Sequence, residues 1–131
     1  MDDTRYSDLG SYLSALKVRF PEIRPYEEDD WDWMDDGLDY LDDGQYGLAE
    51  LTFQQLVLSQ PNFPDGYEGL ARVYLSSGRK AEAVFLVEEA VRLSGEYLER
   101  GDITAAAHDA VVALRQEILA MPDQPEAVRQ S

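Results

Sequence analysis

The chain has 131 residues and no cysteine, with 44% hydrophobic and 11% aromatic residues, enough for one globular core spanning 1–131 and too much for a disordered chain. Acids outnumber bases 27 to 11, a net charge of -16, so a phosphate backbone or an anionic lipid surface is repelled and neither nucleic acid nor membrane is expected as a partner. The missing cysteine excludes disulfides and thiolate zinc sites, and the opening MDDTRYSDLG has neither the basic nor the apolar region of a secretory leader, so the expectation is a soluble, cytoplasmic protein.

Residues 5–19 set Leu9, Tyr12, Leu13 and Leu16 at helical spacing, with Asp3 or Thr4 as N-cap, which predicts a short amphipathic helix ended by Pro21. Leu13, Leu16 and Pro21 can be laid on the relative positions of Phe53, Leu56 and Pro61, as if the helix were the second half of a repeat unit. Residues 20–29 form an acidic connector. From Asp30 the chain repeats itself every 34 residues: Trp33 returns as Tyr67, Gly37 as Ala71, Tyr40 as Tyr74, Gly44 as Gly78, Ala49 as Ala83 and Phe53 as Val87. The two blocks, 30–63 and 64–97, each read as a helix, a glycine-capped turn and a second helix, with the small Gly37 opposite Ala49 allowing close approach. Pro61 ends the first block, and Pro64 suits the first turn of the next helix. The second block has Gly95 where the first has Pro61. Glycine costs a helix about 1 kcal/mol and proline about 3, so this helix is predicted to continue from Arg79 to Glu99. Residues 98–121 then hold that extension and a capping helix that starts after Asp102, with Ile103, Ala107, Ala110, Val111, Leu114, Ile118 and Met121 as its apolar stripe. Residues 122–131 have two prolines and no apolar pattern, and read as a disordered tail.

The period of 34, with an aromatic, a small residue, a tyrosine, a glycine, an alanine and an apolar residue in this order, resembles the tetratricopeptide repeat, a helix-turn-helix unit. The resemblance implies an all-α fold of about six helices in a right-handed superhelical stack. Two repeats are fewer than the three usually needed, so the flanking helices or a second copy must complete the core. It also implies a non-enzymatic protein–protein interaction module that holds a peptide or a helical segment of a partner in a concave groove. Carried onto this chain, the groove positions are Trp31, Met34, Leu38 and Leu41 in the first repeat and Asp65, Glu68, Arg72 and Leu75 in the second. The first four form an apolar stripe distinct from the packing stripe of Trp33, Gly37 and Tyr40, so this helix needs two covered surfaces. Either the N-terminal helix or a partner supplies the second. Fourteen of the 27 acids fall in the first 43 residues, which reads either as a solvated face that keeps the protein soluble or as a docking surface for a basic or amphipathic partner segment. Family members that grip the C-terminal carboxylate of heat-shock chaperones use Lys, Arg and Asn at groove positions, and here Arg72 stands alone beside two acids. Two other roles fit the resemblance: a small bacterial chaperone or assembly factor of the secretion type, and a self-assembling subunit whose first-repeat stripe pairs with itself in a homodimer.

Chemistry has few residues to use. His108 is the single histidine and, next to Asp109, reads as a surface residue; no catalytic set, cofactor site or Gly-rich phosphate loop stands out. The acidic run from Asp29 to Gly37 does not make a calcium loop, because Met34 occupies a required ligand position.

Overall fold

A computed structural model describes residues 9–21 and 31–122, with Trp31 and Asp32 described in their backbone alone. The N-cap expected at Asp3 or Thr4, most of the acidic connector and residues 123–131 lie outside the described residues. Within them the chain forms six helices and no strand: α1 (Leu9–Arg19), α2 (Trp31–Asp42), α3 (Tyr46–Ser59), α4 (Pro64–Ser76), α5 (Lys80–Glu99) and α6 (Ala105–Leu119). Each of α2 to α6 packs against the next, so α2–α3 and α4–α5 are successive helical hairpins and α6 covers α5.

The same turn closes three helices. Gly44, Gly78 and Gly101 have φ of 77°, 77° and 79°, the left-handed region that a side chain would strain. Around each, two amides turn back: Gly44 N to Leu41 O and Gln45 N to Tyr40 O, Gly78 N to Leu75 O and Arg79 N to Tyr74 O, Gly101 N to Leu98 O and Asp102 N to Tyr97 O. This double bond is the Schellman arrangement, which satisfies carbonyls orphaned at a helix end. Its third use at Gly101 explains where α6 starts. The expected cap, Asp102, spends its amide on closing α5 and its carboxylate on Arg100, 3.2 Å away. Thr104 caps α6 instead, its Oγ1 accepting from Ala107 N at 3.1 Å.

The core is built on one aromatic ring. Phe53 of α3 is fully buried, and a Cβ added at Gly37 of α2 or at Gly69 of α4 would lie 2.6 or 2.4 Å from its ring. Both first helices therefore press their glycine faces onto Phe53, and it is this ring that fills the space beside Gly37. One turn on, a Cβ at Gly66 would meet Val57 Cγ2 at 2.7 Å. Tyr67, Leu70, Ala71, Ala83, Val87 and Ala90 extend the core at 0% exposure. Tyr67 donates its hydroxyl to Pro61 O at 2.6 Å, tying α4 to the turn that precedes it.

α5 runs unbroken through Gly95. Its added turns carry Tyr97, which stacks edge-on against Phe63 at 5.2 Å and donates to Asn62 O at 3.0 Å, so the extension clamps the α3–α4 turn. At its other end Lys80 donates to Leu119 O and Met121 O, closing the C-terminus of α6. Val111, Leu114 and Ile118 seat α6 on the core, whereas Ala107 and Ala110 of the expected stripe are exposed. Both stand one turn before the buried Val111 and Leu114 on the same face, so the burial of that face begins only in the second turn of α6.

α1 does not take the place of a preceding repeat's second helix, which would stack on α2. It lies on α3, where Tyr12 and Leu16 are buried, and Tyr12 meets Phe85 of α5 edge-on at 5.5 Å. An aromatic contact to α5 decides the seat, and Leu13, Leu16 and Pro21 alone do not specify it.

Candidate functional site

α4 is buried nearly all round. Pro64, Gly66, Tyr67, Gly69, Leu70, Ala71, Val73 and Tyr74 are inside, because the helix is packed between α3 and α5 and also touches α2 and α6. What remains towards the surface is Asp65, Glu68, Arg72, Leu75 and the exposed Ser76. The first four are the positions mapped on this helix from the repeat pattern.

α2 lies next to α4, and both rest on Phe53. Its Met34, Leu38 and Leu41 are half-buried and pack on the edge of the core, as Leu75 does on α4. Asp35, Asp36, Asp39 and Asp42 are exposed around that row. The backbone of Trp31 opens α2, and its side chain lies outside the described residues. The two helices thus present half-buried apolar side chains bordered by carboxylates.

Arg72 is not free to meet a ligand carboxylate. Its Nε and Nη2 both donate to Glu68 Oε2, at 3.3 and 2.8 Å, one helical turn away. The spacing of i to i+4 that makes this pair is visible in the sequence. Asp65, at the start of α4, is held above the ordinary carboxylate range by burial first and by the Glu68 charge second. With two carboxylates and one arginine, which pairs with Glu68, this row keeps an excess of negative charge, which favours a cationic visitor.

Two polar features stand apart from that row, one missed in the sequence and one read differently there. One is a cavity of about 190 Å³ where α1 crosses α3 and α5, lined by Tyr12, Arg19, Gln54, Arg79 and Glu82 among others. Arg79 binds Glu82 at 2.8 Å and lies 4.6 Å from the centre of the Tyr74 ring, while Tyr74 donates its hydroxyl to Glu50. These contacts join α3, α4 and α5, and no spacing in the sequence announces them. The other is His108, which is half-buried and not the plain surface residue expected: its Nδ1 lies 2.8 Å from Oγ of the fully buried Ser94. The ring lies over Gly95, where a Cβ would stand at an ordinary contact distance of 3.6 Å from its Cε1. No carboxylate is hydrogen-bonded to His108 among the described residues, so the pair reads as a link between α5 and α6. Among the described residues, no group of three His, Cys, Asp or Glu could hold a metal ion, and no helix is long and apolar enough to cross a membrane.

Residues 34–96 match the family model of the tetratricopeptide repeat, and this segment of the chain belongs to that family. Neither a curated protein nor a solved structure matches the chain.

Proposed function

We propose that the adjoining faces of α2 and α4 hold a peptide or helical segment of a partner protein, with Met34, Leu38, Leu41 and Leu75 as apolar anchors and Trp31 at the α2 end. The premise is the family to which residues 34–96 belong: tetratricopeptide repeats are in general protein–protein interaction modules, and the repeat itself is non-catalytic. The observation that supports this surface is the burial pattern of α4, where the row Asp65, Glu68, Arg72 and Leu75 is what reaches the surface, beside the half-buried apolar row of α2. The seat of α1 on α3 and α5 leaves α1 with another task than covering that row.

The partner segment is basic and amphipathic in this reading. Its apolar side chains meet the α2 row, and its cations meet Asp35, Asp39, Asp65 and Glu68, competing with Arg72 for the last of these. Apolar anchors in a groove carry most of the affinity, and the surrounding charge mainly speeds association. Selection of binders from a random peptide library, followed by calorimetry, tests this. Leu38→Glu is expected to weaken the selected peptides by about tenfold or more while the variant still unfolds cooperatively. Selected peptides that are neutral or acidic, or that bind Leu38→Glu as tightly as the natural chain, would contradict it.

A further inference from the structure

We propose that the cavity beneath α1 is a binding site for a free α-amino acid with a small apolar side chain. It encloses about 190 Å³. A cavity of about 150 Å³ accommodates benzene and drug-sized ligands need about 300 Å³ or more, so the fitting molecule has roughly eight heavy atoms. Gln54 of α3 carries the argument. It lines the cavity and is 5% exposed, and Arg19 Nη1 of α1 donates to its Oε1 at 3.5 Å, which turns the amide nitrogen the other way. That Nε2 has two N–H donors and no acceptor among the described residues. Buried donors left unmade are costly, and a ligand oxygen satisfies them. Arg19 is exceptional in the same sense. Arg72, Arg79, Arg92, Arg100 and Arg115 each pair with a carboxylate, whereas Arg19 meets only the Gln54 amide and, at 5.5 Å, the ring of Phe20. One end of the cavity thus offers a cation and amide donors to a carboxylate.

The other end has the opposite surplus. Arg79 binds Glu82 at 2.8 Å and lies 3.7 Å from Glu50 Oε2, the oxygen that also accepts from the Tyr74 hydroxyl, so one guanidinium serves two carboxylates. Glu50 Oε1 accepts no hydrogen bond among the described residues. Glu50 and Gln54 stand four residues apart on α3, hence one above the other on a single face, with about 5–6 Å between their Cβ atoms. This spacing decides the ligand class. A plain anion is opposed by the net charge of -16 and by the surplus at Glu50 and Glu82, and a plain cation is opposed by Arg19. An α-amino acid is neutral overall and carries both groups on one carbon: its carboxylate reaches Arg19 and Gln54 Nε2, and its ammonium reaches Glu50 Oε1 one turn away. Its side chain then lies against Phe85 and the buried Leu86, which selects a small aliphatic group. None of these residues belongs to the α2–α4 row, and the site stands apart from the peptide-binding reading.

The test is a titration of the full chain with L-valine, followed by nuclear magnetic resonance and calorimetry up to about 20 mM, which covers weak small-ligand affinities. Saturable shifts are expected at the Gln54 side-chain amide, at the Leu86 methyl groups and at Tyr12. Two analogues separate the charges on the unaltered chain: 3-methylbutanoate lacks the ammonium and isobutylamine lacks the carboxylate, and each is expected to bind about tenfold more weakly or worse. Arg19→Gln, at an exposed position, should keep the fold and weaken L-valine by about tenfold, whereas Lys17→Gln, also exposed on α1, should leave the affinity unchanged. No saturable shift with L-valine, shifts that fall outside the cavity, 3-methylbutanoate or isobutylamine binding as tightly as L-valine, or equal weakening by Arg19→Gln and Lys17→Gln would each overturn the proposal.

Discussion

Gly69 and Gly95 both lie inside helices, yet a methyl group added to each would act in opposite directions. In a helix interior, glycine is less favourable than alanine by about 1 kcal/mol. At Gly95 the new Cβ meets only His108 Cε1, at an ordinary 3.6 Å, so Gly95→Ala is expected to stabilise the fold by about 0.5–1 kcal/mol. At Gly69 the Cβ would lie 2.4 Å from the buried Phe53 ring, which has Gly37 on another side and nowhere to move. Overpacking of about 1–3 kcal/mol should outweigh the propensity gain, so Gly69→Ala lowers stability. Denaturant unfolding of the two variants checks both signs. Asp65 gives a pH-dependent case. Its folded-state pKa lies above the ordinary value of 3.8, so the folded chain holds that proton more tightly than the unfolded chain does. Stability from this group is present below about 3.8 and is lost as pH rises from there through the folded pKa. Asp65→Asn should therefore raise the thermal midpoint at neutral pH and lose that advantage near pH 3.5. An equal shift at both pH values would mean that burial of this carboxylate carries no such cost.

At the scale of helices, what the sequence made legible was whatever the period carried. Gly44 and Gly78 stand 34 apart because each closes a first helix with the same two amides, so the turns could be placed before any contact was known. The row on α4 came from the resemblance, which carries the family's groove positions onto a first helix, and in the structure those positions are the ones left out of the core. Gly95 in place of Pro61 told that α5 continues, because glycine costs a helix much less than proline does. The start of α6 was not legible: Asp102 is a good cap by type, but the Schellman turn at Gly101 had first claim on its backbone, and Thr104 took the role. Nor was the seat of α1, which depends on Tyr12 meeting Phe85 across the fold. His108 was misjudged for a similar reason, as its partner Ser94 lies on a different helix. α6 gives the prediction at this scale. Removing residues 102–131 takes Val111, Leu114 and Ile118 out of the core and uncovers α5, so the shortened chain is expected to aggregate or to unfold without cooperativity. A soluble truncation with an unchanged unfolding midpoint would show that the core closes without α6.

For the molecule as a whole, two repeats sit between α1 and α6, and the net charge of -16 sets which partners can come near. Long-range attraction of a basic segment is screened by salt, whereas the apolar contacts that hold it are not, so association should slow with ionic strength more than dissociation changes. The direct measurement is nuclear magnetic resonance of the labelled chain during titration with a library-selected basic peptide. The account predicts that the amide shifts concentrate on α2 and on the Asp65, Glu68, Arg72 and Leu75 row of α4, with the methyl signals of Met34, Leu38 and Leu41 broadening or moving. Shifts confined to α3, α5 or the cavity beneath α1, with the α2 methyl groups unmoved, would contradict it.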